Sequence, residues 1–441
     1  MTEPAAAPQR RGGPLRLFAQ GPLRGVITLP GDKSISHRAL LFNAIAEGEA
    51  VITGALDAGD TRSTQSVLGQ LGVPIHRRAD GALVVQGQAG RLQEPQDVLD
   101  CGNSGTTLRT LLGLLAGQPF FATLTGDASL RRRPMGRLVQ PLRALGAQID
   151  GVEGGRRAPL SLRGGTIRGG ELQSDVASAQ VKTALLLAAL QGEGALHLQI
   201  PDSRDHSERM LRAMGVHLEQ GPGWIRMDAG QRLRAADVAV PGDISSAAFW
   251  LVAASIVPGS DLRLLGCGLN PTRDGVLRVL RRMGAQIDVL DARDVNGEPV
   301  ADLRVRSAAL QGVEIGGDEV PTLIDELPVL AVAAAVAQGP TEIRDAAELR
   351  VKESDRIRST LDLLRALGAS AEERPDGLRV QGGARLQGGR ISAAGDHRIA
   401  MAGCVAACLA EGETTIDGAE AISVSYPSFL TDLSGLREPR D

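Results

Sequence analysis

Six stretches of the chain repeat one arrangement of polar and apolar positions. Each begins with a polar or glycine-containing turn, continues as an apolar Ala/Leu-rich run, and ends in glycine followed by a β-branched segment. They are DKSISHRALLFNAIAEGEAVIT (32–53), GNSGTTLRTLLGLLAGQPFFATL (102–124), SAQVKTALLLAALQGEGALHLQI (178–200), GDISSAAFWLVAASIVPGSDLRLL (242–265), DELPVLAVAAAVAQGPTEIRDA (325–346) and GDHRIAMAGCVAACLAEGETTID (395–417). The runs are apolar nearly all round, which predicts helices buried on every side rather than helices lying on a surface.

A second phrase recurs between them: LGQLGVPIH (68–76), LRALGAQID (142–150), LRAMGVHLE (211–219), LRRMGAQID (280–288) and LRALGASAE (364–372). Each reads as the end of an amphipathic helix, stopped by a C-terminal glycine and followed by a short strand. The spacing of about 70 to 85 residues exceeds that of the common solenoid repeats. Together the phrases predict an α/β protein of six βαβαββ-like units, three in each of two similar domains. The sixth unit is cut short, with SYPSFLTDLSGL in place of the usual close. A length of 441 residues agrees with two domains of roughly 200 residues each.

Composition narrows the function. The net charge of -4 and pI near 6.0 leave no basic footprint for nucleic acid. No apolar run reaches 18 residues, so no membrane span is expected, and the polar start MTEPAAAPQRRGGP reads as a disordered tail (1–13) on a cytoplasmic protein. Cys101, Cys267, Cys404 and Cys408 have no metal-type spacing and are expected as buried free thiols, and the six histidines are scattered. No metal and no cofactor are expected. The basic residues are almost all arginine, with Lys33, Lys182 and Lys352 the only lysines. Where arginine generally serves, a surviving lysine marks a place that needs a compact ammonium.

The chemistry concentrates where the buried helices begin. LPGDKSISHR (29–38) approaches a phosphate-binding P-loop, yet Asp32 and Ile27 stand where its two glycines belong. Cations are disfavoured at a helix N-terminus, so Lys33 and Arg38 there call for an anionic ligand. In DCGNSGTTLR (100–109), Gly102 and Gly105 allow close backbone approach, and Thr106 offers a hydroxyl. SLRRRPMGRL, SAQVK, DSRDHSER, RVKESDR and GDHRIAM add further cations at helix starts, with Lys182 expected beside Ser178 at the mouth of its helix. PTLIDELP sets Asp325 and Glu326 in apolar surroundings, where a carboxylate must be paired or used. N-capping alone explains Ser, Asp, Asn and Gly at any one of these positions. Several such termini converging would instead make a strong anion site without a P-loop. The set suits substrates rich in phosphate and carboxylate, with proton transfer by carboxylates and lysines.

LPGDKSISHRAL, GNSGTTLR, RRRPMGRL, SAQVKTALLLA, SRDHSERM, GDISSAAF, RVKESDRI and GDHRIAM, in this order over residues 14 to 430, resemble the 5-enolpyruvylshikimate-3-phosphate synthase family. The resemblance implies the enolpyruvyl transferase fold, with chain crossings near Gly31-Asp32 and Pro241-Gly242. Domain 1 would then comprise 14–32 plus 242–441, and domain 2 residues 33–241, with the active site in the cleft between them. It implies transfer of the enolpyruvyl group of phosphoenolpyruvate to the 5-hydroxyl of shikimate 3-phosphate, releasing phosphate, on the way to chorismate and the aromatic amino acids. It assigns Lys33, Ser34, Arg38, Ser178, Ala179, Gln180, Ser203, Arg204, Asp325 and Lys352 to shikimate 3-phosphate. Lys33, Asn103, Gly105, Thr106, Arg133, Gln180, Arg356, His397 and Arg398 fall to phosphoenolpyruvate. Asp325, Glu353 and Lys33 carry the proton chemistry.

Two departures from some members stand out: Val424 precedes SYP where they carry lysine, and DSRDHSER replaces a tyrosine-bearing segment. The resemblance further implies a monomer inhibited by glyphosate, since Gly105 is unsubstituted. The sister transferase acting on UDP-N-acetylglucosamine usually has Lys-Asn in the first motif and a loop cysteine. This chain has Lys33-Ser34 and no cysteine between Gly102 and Cys267. A binding protein descended from the same repeat is the rival of another class.

Overall fold

The structure is a computed structural model and describes residues 13–19 and 21–436; the tail expected over 1–13 lies almost wholly outside the described residues. The six apolar runs are helices: Lys33–Ile45, Gly105–Ala116, Ala179–Leu190, Ile244–Ile256, Leu327–Val336 and His397–Ala407. Nearly every residue in each is buried, alanine and leucine alike. Burying one leucine or valine side chain contributes about 1.5–3 kcal/mol, so these helices are held by their surroundings rather than by propensity. The amphipathic helices between them end as expected. Gly72, Gly146, Gly215, Gly284 and Gly368 all take left-handed φ values, between +80° and +101°, at the turn into the next strand.

Each unit contributes a small sheet. In the second unit, Leu99–Asp100 runs parallel to Phe121–Thr125, which pairs antiparallel with Arg157–Arg163, itself antiparallel to Gln148–Gly151. The third unit repeats this with Arg168–Gln173, Glu193–Gln199, Trp224–Asp228 and Leu218–Gly221. Among the described residues, five of the sheets have four strands and the sixth has three.

The first and fourth units take their opening strands from elsewhere in the chain. Val238–Ala239 lies parallel to Glu49–Thr53, while Arg24–Thr28 lies parallel to Asp261–Gly268. The truncated sixth sheet is completed by Leu15–Phe18, antiparallel to Glu413–Asp417. Buried apolar residues form two clusters, one within residues 35–238 and the other joining 23–29 to 244–436. The second is capped by Tyr426 and Phe429, which pack on Trp250, with the indole Nε1 donating to the Tyr426 hydroxyl at 3.0 Å.

The near-P-loop sequence is the point where the chain passes between these clusters. Asp32 N donates to Pro241 O at 2.8 Å and Asp243 N to Pro30 O at 2.9 Å, so the two passing strands hold each other. Gly31 is needed there, because a Cβ would sit 1.9 Å from the carbonyl oxygen of Gly54. Arg273 is buried between the strands and bonds Asp32 at 3.2 Å and Asp243 at 3.4 Å. Burial and the neighbouring Asp32 push the Asp243 carboxyl up to about 6, against the pull of Arg273.

Candidate active site

Capping side chains hold five of the six buried helices at their N-termini. Asp32, Ser104, Ser178, Asp243 and Asp396 each accept a bond from the first turn. The sixth, Leu327–Val336, has a proline in its first turn instead. These starts also converge. One cavity of about 460 Å³ between the two clusters is lined from the beginnings of all six, by Lys33 and Ser34, Gly105 and Thr106, Ala179 and Gln180, Ser245, Asp325, and His397 and Arg398. The amphipathic helices and their leading loops supply Arg133, Ser203, Arg204, Lys352, Glu353 and Arg356.

Among the described residues, ten arginines and lysines line the cavity against seven carboxylates, so its wall is cationic. Converging helix N-termini add the partial positive charge of their free amides. The carboxylates are shared among the cations. Arg356, 1% exposed, bonds Asp325 Oδ1 through Nη1 at 3.0 Å and Glu353 Oε2 through Nη2 at 2.6 Å. Its Nε is held by Asp396 Oδ2 at 2.7 Å. Asp325 also pairs with Arg204 and, at 3.6 Å, with Lys352, while its backbone carbonyl accepts from Arg398 at 3.0 Å.

These pairings set protonation. Burial would raise the Asp325 carboxyl, but Lys352, Arg398, Arg204 and Arg356 together hold it well below the usual range. Glu353 behaves alike, with Arg356, Arg133, His397 and Lys33 overcoming its burial. Both are therefore ionised carboxylates. His397 is pushed down to about 3 by burial and by Lys33, so its ring is neutral. Burial likewise lowers Lys352, against the pull of Asp325.

The residues expected from sequence fall into place unequally. All but one line the cavity; Asn103 stands behind it, accepting from Arg133 Nη2 at 2.7 Å and donating to Asp127 at 2.6 Å. Lys182 corrects the sequence reading of a polar patch at the helix mouth. It is buried in an ion pair with Glu208 at 2.6 Å, and its ammonium is absent from the cavity wall. The spacing from Ser178 gave the helical face but not the partner, which comes from the next helix of the same unit.

Sequence reasoning missed Asp60, Arg109, Arg137, Arg273 and Glu348. Asp60 holds Lys33 at 2.9 Å. Arg109 donates to Gln180 Oε1 at 2.6 Å, which turns the Gln180 amide nitrogen to Thr106 Oγ1 at 2.9 Å. Arg137 crosses the cleft to Glu348 at 2.7 Å, beside a second crossing pair, Arg133 with Glu353 at 3.3 Å. Arg109 and Arg137 lay inside quoted motifs, and for Arg109 a charged residue within an apolar run was the available signal. All four cysteines are buried, as expected.

Two clusters of repeated βαβαββ units, with a cationic, carboxylate-bearing cleft between them, define an enolpyruvyl transferase-like protein. A crystal structure of an enolpyruvyl transferase from Streptomyces tendae shares that fold, with a TM-score of 0.78 over 96% of this chain and 97% of that one at 21% identity. The sequence model of the family described as EPSP synthase (3-phosphoshikimate 1-carboxyvinyltransferase) matches residues 18–433, and the chain belongs to that family. A 3-phosphoshikimate 1-carboxyvinyltransferase of Synechococcus sp. (strain JA-3-3Ab) is 56% identical over 95% of both chains. One from Gloeobacter violaceus is 55% identical over 94% of this chain and 97% of its own. An EPSP synthase structure from Acinetobacter baumannii superposes with a TM-score of 0.85 at 40% identity, covering 96% of this chain and 97% of that one.

Proposed function

We propose that this cleft transfers the enolpyruvyl group of phosphoenolpyruvate to the 5-hydroxyl of shikimate 3-phosphate and releases phosphate. The observation that carries the reading is Arg356, whose two terminal nitrogens bond Asp325 on one side and Glu353 on the other. One guanidinium thus bridges two carboxylates inside a cationic cavity: ionised Asp325 can take a proton at one atom, and Glu353 can supply one at another once substrate has weakened its ion pairs.

Ser34, Arg38, Ser178, Ala179, Gln180, Ser203, Arg204 and Lys352 surround shikimate 3-phosphate in this reading. Lys33, Gly105, Thr106, Arg133, Arg356, His397 and Arg398 take phosphoenolpyruvate, with Asn103 steadying Arg133. Asp325 accepts the proton of the 5-hydroxyl as that oxygen bonds to the enol carbon. A proton reaches the methylene carbon from the Glu353 and Lys33 neighbourhood. The arriving phosphate and carboxylate draw on Arg356, Arg133 and Lys33, the same cations that hold Glu353 ionised, so binding itself lifts the Glu353 carboxyl toward the donor form. The tetrahedral adduct then returns a methyl proton and loses phosphate, restoring the double bond. Cations fixed around the phosphate stabilise this charge better than mobile water does.

The division into domains at 32/33 and 241/242, closure of the cleft on substrates, a monomeric state, a cytoplasmic setting and inhibition by glyphosate at the phosphoenolpyruvate position belong to the same reading. The two apolar clusters and the paired crossing strands support the division. Among the described residues, no helix is long and apolar enough to cross a membrane.

The test is phosphate release from phosphoenolpyruvate with shikimate 3-phosphate, beside a parallel reaction with UDP-N-acetylglucosamine. Release with the first acceptor alone, abolished in Asp325→Ala, is the expected result. Release with the sugar nucleotide alone would overturn the acceptor. Calorimetric binding of shikimate 3-phosphate without release would favour a binding protein.

A further inference from the structure

Arg38 is buried to 2% exposure, yet among the described residues no carboxylate bonds it. A guanidinium so placed must be satisfied by neutral acceptors or by a ligand. Its Nε donates to Ser207 Oγ at 2.8 Å, Nη1 to the Ser34 carbonyl at 2.9 Å, and Nη2 to Thr183 Oγ1 at 2.8 Å, with Ala179 O further off at 3.4 Å.

Ser207 and Thr183, both fully buried, lie 2.6 Å apart, and Thr183 Oγ1 is 2.6 Å from the Ala179 carbonyl. A carbonyl only accepts, so the one hydroxyl hydrogen of Thr183 goes to Ala179 O. Thr183 therefore accepts from Ser207, and Ser207, having given its hydrogen, accepts from Arg38 Nε. Geometry leaves a single direction for the chain: Arg38 to Ser207, Ser207 to Thr183, Thr183 to Ala179. Four of the five guanidinium hydrogens are committed in this way. The fifth, on Nη1, remains beside Ser34, whose hydroxyl already accepts from Arg204 Nη1 at 3.2 Å.

We propose that Thr183 and Ser207 are positioning residues that fix the Arg38 guanidinium and aim its one uncommitted N–H at shikimate 3-phosphate. Neither lines the cavity, so each acts only through Arg38. The relay ties together the helices Lys33–Ile45, Ala179–Leu190 and His206–Ala213, so a single substrate contact reports the mutual placement of three helices from two units. This rests on the assignment of Arg38 to the shikimate 3-phosphate subsite made above.

The discriminating substitution is Thr183→Val, which keeps shape and removes the hydroxyl, set against Thr183→Ser, which keeps the hydroxyl. Thr183→Val should raise KM for shikimate 3-phosphate about tenfold or more, the scale of one lost bond to a charged group. KM for phosphoenolpyruvate and kcat should stay within about twofold. Thr183→Ser should restore most of the loss, and Ser207→Ala should match Thr183→Val. In an Arg38→Gln background, Thr183→Val should add nothing. A raised shikimate 3-phosphate KM in Arg38→Gln with none in Thr183→Val overturns the relay alone. An unchanged KM in Arg38→Gln overturns the subsite assignment beneath it. Equal losses for both substrates, or a Thr183→Ser variant as poor as Thr183→Val, reduce both residues to packing.

Discussion

Glu353 and Arg356 stand three residues apart and bond each other at 2.6 Å, carboxylate to guanidinium, on the wall of the cleft. Glu353 is therefore a carboxylate before substrate arrives, and in the proposed reaction substrate must change its state. Glu353→Gln keeps the hydrogen-bonding shape and removes the titration. It should cut kcat by about 10²- to 10⁴-fold, the usual range for a positioned acid or base. Substrate KM values should move little. Steady-state kinetics decide this, and a kcat within tenfold of the parent would remove Glu353 from the chemistry.

Asp325→Asn makes a contrasting prediction. Asp325 partly neutralises Arg204, Arg356 and Lys352, so its removal leaves the wall more cationic. Turnover should fall by about 10²-fold or more. Calorimetric affinity for shikimate 3-phosphate should hold or tighten. Affinity falling in step with turnover would make Asp325 chiefly a binding group.

Much of this architecture was legible in the sequence, and the reasons are local. A helix buried on all sides shows as an unbroken apolar run, and a left-handed turn shows as glycine at a fixed offset, so the six units stood out. The exchange of opening strands did not, because Val238–Ala239 is two residues long and pairs with a strand far away in sequence. Site residues that start a buried helix were visible as polar breaks in an apolar pattern. Asp60 and Glu348 sit in stretches already polar, and nothing local separates such a residue from a solvated one. Lys182 was misjudged for the converse reason, since its partner Glu208 belongs to another helix.

Gly105 opens a helix between two guanidiniums. A Cβ there would stand 3.0 Å from Nη1 of both Arg109 and Arg133. Both are ends of flexible side chains, so Gly105→Ala should fold and displace them. We expect KM for phosphoenolpyruvate to rise about tenfold, and the inhibition constant of glyphosate to rise by more. Competition kinetics check both, and an unchanged glyphosate constant would refute the shared position.

Acid should destabilise the fold above the range where carboxylates titrate. His37 is fully buried, and burial lowers it to about 4 from an ordinary value near 6.5. Between those values the unfolded chain binds a proton that the folded chain refuses, so stability is lost as pH falls through that window. The loss is at most about 1.4 kcal/mol per pH unit for one such group. His397 acts in the same sense. Asp243, raised to about 6, opposes them below that value, because its folded form takes the proton more readily. Urea midpoints measured from pH 7 to 4.5 should decline, and less steeply in His37→Gln. Parallel declines would show that His37 is protonated in the folded state.

The pairing of Leu15–Phe18 with Glu413–Asp417 sets a timetable for biosynthesis. Residue 15 leaves the ribosome about 400 residues before its partner, Ile416. At the usual pace of translation, that is a delay of roughly 20 to 80 s. Over that interval residues 33–241 emerge with every strand their sheets require, including Val238–Ala239, and are able to fold first. The leading strands Leu15–Phe18 and Arg24–Thr28 wait outside that body as unpaired edges, the kind of surface that chaperones cover. A message truncated before codon 413 would leave the first strand permanently unmatched. The strand Leu15–Phe18 thus finds its partner only once residues 413–417 have been made.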